Sequence, residues 1–304
     1  MRQPGPVRGR AAGRAPVRAG GGGADRGGVA RARLLVGGDR ALEGERRRGV
    51  SAPLGTVAAL WRYPVKSLRG ERLERVAIGP SGIAGDRAFA LRDARDGRIL
   101  SAKRTAALLA FRAAYPEGPE RPALIDFGDG RRTTSAAGDA AALLSAVLGR
   151  AVELVGPDDR RADRRVEWDD EMTFDAPAGA FVDLAPLHVL TTASLAAIGA
   201  CRPEGRFDVR RFRPNLLVDC GARQGFVEDD LEGKALAIGA TLRLRVFMPT
   251  IRCALTTRAQ EDLPADPAIL RTVVERHGGN LGVYARVEAA GEVRVGDPVV
   301  VLPG

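Results

Sequence analysis

Alternation of apolar and polar positions predicts many short strands from about residue 54 onward. LGTVAALWRYPV and ERLERVAIG read as strands, and Pro64 ends the first because proline cannot continue a sheet interior. RAFALRD and GRILSA predict a hairpin closed by the favoured turn pair Asp96-Gly97. Further strands are predicted in ALIDF, HVLT, NLLVD, ALAIGATLRLRVFM, VYARVE, EVRV and VVVL.

Helical composition is confined to a few segments. TAALLAFRAAY, GDAAALLSAVLGR and ASLAAIGA predict helices, and residues 266–278 carry the clearest helix boundaries. Asp266 is suited to the N-cap, Pro267 to the first turn and Gly278 to the position just past the end. Short strands with few helices predict an α+β, β-rich chain with a barrel-like core, and the missing βαβ alternation argues against a doubly wound nucleotide-binding fold.

The N-terminal segment has a different composition from the rest. Residues 1–50 hold 13 of the 38 glycines and no aromatic residue, so they cannot bury enough apolar surface to offset the entropy of ordering. We expect a disordered Arg/Gly-rich tail, and two origins stay open: a real disordered arm, or a mis-assigned start with the natural one near Val50. The charged connector PDDRRADRRVEWDDEM predicts a boundary between domains at 51–170 and 171–304.

Composition excludes several classes of protein. The apolar fraction of 45% and the charged fraction of 28% are typical of a soluble globular protein. No run of 18 apolar residues occurs, so we expect no transmembrane helix, no membrane partner and a cytoplasmic location. Of the net charge of +9, the first 50 residues contribute 12 arginines against 4 acids. A basic tail alone is weak evidence for nucleic-acid binding, and no nucleic-acid partner is expected.

Cysteine and histidine counts limit the possible metal sites. The three cysteines, at 201, 220 and 253, form no CxxC pair, and only two histidines are present. Cys253 in MPTIRCALTT directly follows Arg252, and adjacent positive charge favours a thiolate, which is a nucleophile or a soft-metal ligand. The alternative is a small buried hydrophobe, which is the commoner role of a lone cysteine and the one expected for Cys201 and Cys220.

Cationic side chains recur in loops that adjoin predicted strands. They are Lys66 in RYPVKS, Arg87 in GDRAF, Arg213 in RPN and Arg252. Lysine is rare here, with 3 against 44 arginines, and a lysine is a compact charge that suits phosphate or another anion. If these loops converge, the cations form an anion site without a glycine-rich loop.

The polar residues near these cations each have a possible functional role and a possible structural role. Asn215 follows the arginine of RPN, and it is either a ligand contact or an ordinary loop residue. Asp183 in FVDLAP is either a functional carboxylate or one that forms a turn. For His188 the structural role, a hydrogen-bonded strand histidine, is favoured, and His277 suits the last turn of a helix.

Seven motifs in fixed order resemble the MOSC-domain family. They are LWRYPVKSLRGE, GDRAFAL, LSAKR, FVDLAPLHVLTTASL, RRFRPNLLV, MPTIRCALTT and GVYARVEAAGEVRVGDPVVVL. The match covers about residues 54–302 and is similar to the branch that contains the mitochondrial amidoxime-reducing component and its bacterial homologues. Each motif alone is weak evidence for the family, whereas seven motifs in the same order are specific to it.

The resemblance implies a fold, a cofactor and a set of site residues. The fold is an N-terminal MOSC β-barrel-like domain packed on a MOSC β-barrel domain, and the cofactor is the molybdenum cofactor (molybdopterin). The metal-ligand cysteine of the family falls on Cys253, and a carboxylate near the metal falls on Asp183. The residues that match positions around the cofactor are Lys66, Ser67, Arg87, Arg213, Asn215, Thr250, Arg252 and Tyr284.

The implied activity is a molybdenum-dependent two-electron reduction of N-hydroxylated compounds. In it, Asp183 could relay a proton to the departing oxygen. Some bacterial relatives carry a fused ferredoxin domain, which is not expected here after VGDPVVVL. Electrons are therefore expected from a separate flavin, haem or iron–sulfur partner, and the substrate is a small N-hydroxylated molecule.

Two other functions remain open from the sequence. MOSC domains also occur fused to sulfurases that bind pyridoxal phosphate, so pyridoxal phosphate is a second cofactor associated with the family. In that role Cys253 would hold a persulfide as a sulfur carrier, although the fused domain is not expected in this chain. The other function is a non-catalytic carrier of the molybdenum cofactor.

Overall fold

A computed structural model describes residues 51–159, 165–167, 173–175 and 179–303. The predicted tail over 1–50 and most of the predicted charged connector lie outside these residues. The strands are β1 (Ala52–Arg62), β2 (Glu71–Leu73), β3 (Arg75–Gly79), β4 (Gly82–Ile83), β5 (Ala90–Asp93), β6 (Arg112–Ala114), β7 (Leu124–Asp126), β8 (Arg132–Thr134), β9 (Val152–Val155), β10 (Arg165–Glu167), β11 (Thr173–Asp175), β12 (Leu187–Thr191), β13 (Leu216–Asp219), β14 (Ala235–Ile238), β15 (Leu242–Ile251), β16 (Asn280–Ala289), β17 (Gly291–Arg294) and β18 (Pro298–Val301).

Helices are short and few within the described ranges. The α-helices are α1 (Ala140–Leu148), α2 (Thr192–Ala200), α3 (Val209–Phe212) and α4 (Pro267–His277), and the 3-10 helices are Ala106–Ala110, Val227–Leu231 and Ala254–Thr257. In the part of the chain that the structure describes, no helix is long and apolar enough to span a bilayer.

Seven strands close into a barrel. Their order is β13-β12-β16-β15-β14-β18-β1, and β1 pairs back onto β13 to complete the circle. The pairing of β12 with β13 is parallel, while the other pairings around the barrel are antiparallel. This closure confirms the prediction of a β-rich chain with a barrel-like core.

Strand β1 contributes to the barrel although it precedes the other barrel strands by more than a hundred residues. Its first half pairs with β18 and its second half with β13, with a register shift in each pairing. Leu54, Val57 and Leu60 are buried in the barrel core, and their spacing of three departs from strict strand alternation at the register shifts. The chain leaves this strand at Arg62, so the YPVKS segment begins at the edge of the barrel.

A second hydrophobic core lies in the segment between β1 and β12. It contains Val65, Leu68, Leu108, Phe111 and Ile125, each no more than 2% exposed. The rings of Phe111 and Phe127 meet edge to face in it, with centroids 5.3 Å apart. Both cores lie in one compact unit of the described residues.

Local signals account for the elements that match the predictions. Helix α4 begins where the Asp266 carboxylate accepts a hydrogen bond from the Ala268 N–H at 3.0 Å, and it ends at Gly278 with φ of 58°. Glycine tolerates this left-handed conformation without the steric cost that a Cβ brings. The helices predicted in GDAAALLSAVLGR and ASLAAIGA are present as α1 and α2.

One prediction of local structure is wrong. TAALLAFRAAY forms the 3-10 helix Ala106–Ala110 and then strand β6, because Phe111, Ala113 and Tyr115 alternate inward and tertiary burial overrides the helical composition.

The predicted hairpin is present in a short form. GRILSA runs antiparallel to β5, with a bridge between Arg92 and Ile99 and a hydrogen bond of 2.7 Å from the Leu100 N–H to the Leu91 carbonyl. The longer ladder of β5 is formed with β9.

Candidate functional site

One cleft gathers the residues that the sequence singled out. It encloses about 770 Å³ of space, part of which is open to solvent. Nine of the ten predicted site residues line it: Lys66, Ser67, Arg87, Asp183, Arg213, Asn215, Arg252, Cys253 and Tyr284. The tenth, Thr250, is buried in β15 beside the lining residue Ile251.

Lys66 and Asp183 face each other across this cleft. The Lys66 Nζ donates to the carbonyl oxygen of Phe181 at 3.0 Å and pairs with the Asp183 carboxylate. Burial lowers the pKa of Lys66, and the neighbouring carboxylate offsets only part of that effect. Burial alone would raise the pKa of Asp183, but the Lys66 ammonium more than compensates and holds it below its usual value. Asp183 is therefore ionised in this arrangement.

The ring of Tyr63 supports two of the arginines. The guanidinium of Arg87 lies 4.7 Å from the ring centroid, and that of Arg213 lies 4.1 Å from it. The Tyr63 hydroxyl donates to the Pro214 carbonyl at 3.1 Å, and burial raises the pKa of the phenol to about 12. A neutral aromatic ring can thus hold two cations at close range through cation–π attraction.

A buried carboxylate, Asp86, holds the same loops together. It accepts from the Tyr63 N–H at 2.7 Å and from the Asn215 Nδ2 at 3.1 Å, and it pairs with Arg87. The Asn215 amide oxygen in turn accepts from the His188 N–H at 3.2 Å. Asn215 therefore connects three chain segments through hydrogen bonds of its side chain. This is not the environment of an ordinary loop residue.

Three of the cleft residues have a left-handed backbone. Ser67, Arg87 and Arg213 have φ of 68°, 50° and 54°, and among the described residues only Glu261 is another non-glycine with positive φ. Such a conformation costs roughly 1–2 kcal/mol for a residue with a Cβ. At Ser67 it accompanies a hydroxyl that accepts from the Ala102 N–H at 3.0 Å, which ties the LSAKR segment to the cleft.

The cleft carries more positive than negative charge. Among the described residues, the cations Lys66, Arg87, Lys103, Arg213 and Arg252 lie around two carboxylates, those of Asp86 and Asp183. Burial lowers the pKa of Arg213 to about 10.

Arginine Nη donors here reach carbonyl oxygens. Arg213 donates to Leu68 at 2.8 Å, and Arg252 donates to Phe212 at 2.6 Å. Within the described ranges, the Arg252 Nε is buried without a hydrogen-bond partner, as is the hydroxyl of Thr250 two residues earlier.

Cys253 occupies the point where β15 ends. It is a free, partly exposed thiol that precedes the 3-10 helix Ala254–Thr257. The segment after it is held by Arg211, a fully buried arginine that donates to the carbonyls of Thr256 and Arg258 at 3.2 Å and of Pro264 at 2.7 Å. Because these bonds fix the loop, the thiol has a defined position in the cleft wall. Cys220 is buried as expected, whereas Cys201 is exposed, contrary to the expectation.

His188 does not have the fully hydrogen-bonded environment expected of it. It lies in β12 and lines the cleft, and its buried Nε2 makes no hydrogen bond of standard geometry with the described residues, although the main chain of Arg213 and Leu281 lies near the imidazole. A Cβ on Gly282 would come within 2.3 Å of that nitrogen, so only glycine fits opposite the imidazole. Burial, and secondarily the charge of Arg252, lowers the pKa of His188 well below its ordinary value of 6.5. The imidazole is neutral at pH 7 and is available as a polar contact.

The mouth of the cleft is apolar. Within the described ranges three large hydrophobic side chains are strongly exposed, and two of them, Leu184 at 40% and Ile251 at 45%, line this cleft. Each adjoins a predicted site residue in sequence, Asp183 or Arg252. An uncharged organic group can contact this rim while an anionic group lies among the cations.

The donor set fits an anionic, sulfur-bearing metal cofactor. Excess cations and unpartnered polar atoms suit a phosphate and a polar heterocycle, and a thiol suits a soft metal. In the described ranges no three side chains of His, Cys, Asp or Glu are grouped to hold a metal ion. A metal at Cys253 would therefore need its other ligands from a cofactor.

Sequence reasoning missed four residues of this site. Tyr63 and Asp86 lie inside the RYPVKS and GDRAF motifs, so the motifs themselves were the available signal. His188, for which a structural role is favoured from the sequence, lines the cleft, and so does Lys103 of the LSAKR motif.

Family comparisons agree with this architecture. Residues 54–125 match the MOSC N-terminal beta barrel domain, and residues 177–300 match the MOSC domain. The chain is therefore a MOSC-domain protein.

Curated relatives are similar over most of the chain. Mitochondrial amidoxime reducing component 2 of Homo sapiens is 29% identical, with 84% of this chain and 85% of that protein covered. The same component of Macaca fascicularis is 28% identical with the same coverage, and component 1 of Homo sapiens is 27% identical over 84% of this chain and 86% of that protein. A solved structure, the YuaD protein of Bacillus subtilis, has a TM-score of 0.42 at 12% identity, covering 83% of this chain and 96% of that one.

The buried imidazole predicts a specific pH dependence of stability. In the unfolded chain His188 takes up a proton below pH 6.5, whereas the folded state resists protonation, so stability falls as the pH drops below that value. For cofactor-free protein, replacing His188 by leucine should remove up to about 1.4 kcal/mol per pH unit from this decline between about pH 6.5 and 5. Urea unfolding at a series of pH values measures the slope.

The control for this experiment is Ile198→Val, which removes one buried methylene and no titratable group. Its stability curve should keep the slope of the wild type. Parallel curves for wild type and His188→Leu would contradict the account.

Proposed function

We propose that the protein binds the molybdenum cofactor in this cleft and reduces N-hydroxylated compounds with electrons from a separate donor protein. The observation that carries the proposal is a partly exposed cysteine thiol in the wall of a cleft with surplus cations. The names of the curated relatives, amidoxime reducing components, agree with an N-hydroxylated substrate. The proposed location is the cytoplasm.

The cations would hold the anionic end of the cofactor. Arg87 and Arg213 are already oriented by Tyr63, and Lys66 is held by the carbonyl of Phe181. Little side-chain entropy is then lost when a phosphate binds, because these rotamers are restrained beforehand. The unpartnered Arg252 Nε and His188 Nε2 would contact polar atoms of the bound group.

Cys253 would be the protein ligand of the metal. A thiolate matches a soft metal that also carries sulfur ligands of its own. When bound, the cofactor would supply the change of oxidation state that the reduction needs. Arg252 precedes the thiol and adds positive charge near it, and Thr250 lies near the end of β15, three residues before the thiol.

Asp183 would deliver the proton that the leaving oxygen of the substrate needs. The reaction R–NH–OH + 2e⁻ + 2H⁺ → R–NH₂ + H₂O releases water, so a proton must reach the leaving oxygen. Asp183 lies in the cleft with its side chain 38% exposed, and its partner Lys66 is itself a cation that a bound phosphate would engage. Once Lys66 turns to such an anion, the carboxylate is freer to accept a proton from solvent and pass it on. The apolar rim of Leu184 and Ile251 would contact the organic part of the substrate.

Replacing Cys253 by serine should abolish metal retention. Protein purified from a host that makes the cofactor should hold about one molybdenum and one pterin per chain, and Cys253→Ser should lose the metal because a hydroxyl is a poor soft-metal ligand. Elemental analysis with pterin fluorescence measures both. The control is Cys201→Ser, which removes an exposed thiol that does not line the cleft. Wild-type protein without molybdenum or pterin would overturn the proposal and favour a persulfide on Cys253, which mass spectrometry detects.

Replacing Asp183 by asparagine should separate binding from turnover. The amide keeps the size of the side chain but cannot deliver the proton, so kcat should fall by about 10² or more while the molybdenum content stays at the wild-type level. Asp230→Asn, a change at an exposed acid outside the cleft, is the matched control. An unchanged kcat in Asp183→Asn would show that the proton comes from another group.

A further inference from the structure

A second cavity adjoins the cleft and shares one side chain, Arg213, with it. It has about 590 Å³ of space, including its opening to solvent. Five arginines line it: Arg69, Arg72, Arg112, Arg210 and Arg213. None of the motif residues assigned to the cofactor lies here except Arg213, so the function proposed above leaves this cavity unexplained.

Only part of the positive charge in this second cavity is neutralised. Its one lining carboxylate, Glu261, is bound by Arg69, with the two atoms 2.5 Å apart, and by Arg210. Arg210 also pairs with Asp208 and Asp262 outside the lining. Asp262 also pairs with Arg206, so the three acids are matched by Arg69, Arg206 and Arg210 and leave none for the other arginines.

The remaining three arginines have no ionic partner in the part of the chain that the structure describes. Arg112 donates its Nε to the Gly70 carbonyl at 3.2 Å, and Arg213 donates to the Leu68 carbonyl at 2.8 Å. Arg72 is exposed on β2. Three cations around one cavity therefore lack a counter-charge.

Two further donors in the second cavity are buried without an acceptor. The Nε2 of Gln260, a residue only 5% exposed, has no hydrogen-bond partner, and neither has the Nε of Arg69. Both are N–H groups, so what the cavity lacks is an acceptor. Buried donors are ordinarily satisfied, and an oxyanion would supply several acceptor oxygens at once.

An aromatic surface lies beside the arginines. Trp61 lines the second cavity, is half-buried, and stands directly opposite Arg72 in the pairing of β1 with β2. An indole face offers a planar apolar contact next to the anion-binding groups. The combination matches a ligand that has an anionic end and a planar ring.

We propose that the second cavity binds a phosphate-bearing small molecule, with the phosphate on Arg72, Arg112 and Arg213 and a planar ring against Trp61. Arginine is suited to phosphate because its planar fork donates two parallel hydrogen bonds. Because Arg213 lines both cavities, an occupant of the second would also change the charge balance of the cleft.

Adenosine monophosphate is a probe with both features, and adenosine is its uncharged counterpart. The readout is the fluorescence of Trp61 in full-length Trp168→Phe protein, which leaves one tryptophan as the reporter. Since Trp61 lines the second cavity and not the cleft, binding in the cleft does not give the same signal. We expect saturable quenching by the nucleotide and at least about tenfold weaker binding of adenosine.

Two double variants complete the test in the same background. Arg72→Gln with Arg112→Gln removes two cavity charges that do not line the cleft, and the dissociation constant should rise about tenfold or more. Arg271→Gln with Arg276→Gln removes two exposed charges of α4 and should leave the constant unchanged. No quenching by the nucleotide, equal binding of adenosine, or equal losses in both double variants would overturn the proposal.

Discussion

A cluster of cations around two carboxylates is the constraint on which the site depends. Lys66 and Arg213 are buried, and Arg87 and Arg252 are partly buried. Transferring an uncompensated charge from water into a protein is expensive, so each cation needs acceptors or an anion. Lys66, Arg213 and Arg252 donate to main-chain carbonyls, and Arg87 is placed against Asp86. These contacts stabilise the cations without neutralising them, so the cleft attracts an anion.

Backbone geometry keeps this arrangement in place. The left-handed residues Ser67, Arg87 and Arg213 turn their loops sharply, so that neighbouring side chains in each motif point to different partners. Tyr63 fills the space between two of these loops, and Asp86 with Asn215 ties them together. Strain of this kind persists where the surroundings over-determine the conformation, which is common at functional sites. The barrel supplies that rigidity, because its closure leaves no free edge between β1 and β13.

Patterns that act over a few residues were predictable from the sequence, and those set by distant neighbours were not. Asp266 and Gly278 define α4 locally, so its limits could be predicted. The segment around Phe111 has helical composition, but it forms a strand because every second side chain is buried in the core. The cations and Cys253 stood out by charge, rarity and motif, whereas the role of Asp86 depends on partners up to 129 residues away. No local signal marks the second cavity, since its arginines come from separate strands and loops.

Anomalous X-ray scattering at the molybdenum edge tests the central claim most directly. Crystals would be grown from protein isolated with its cofactor. The account predicts one anomalous peak within bonding distance of the Cys253 Sγ and an anionic group in contact with Lys66, Arg87 or Arg213. A metal bound elsewhere would contradict it. So would a cleft in which Cys253 carries only an added sulfur, since the surplus cations would then have no anion to hold.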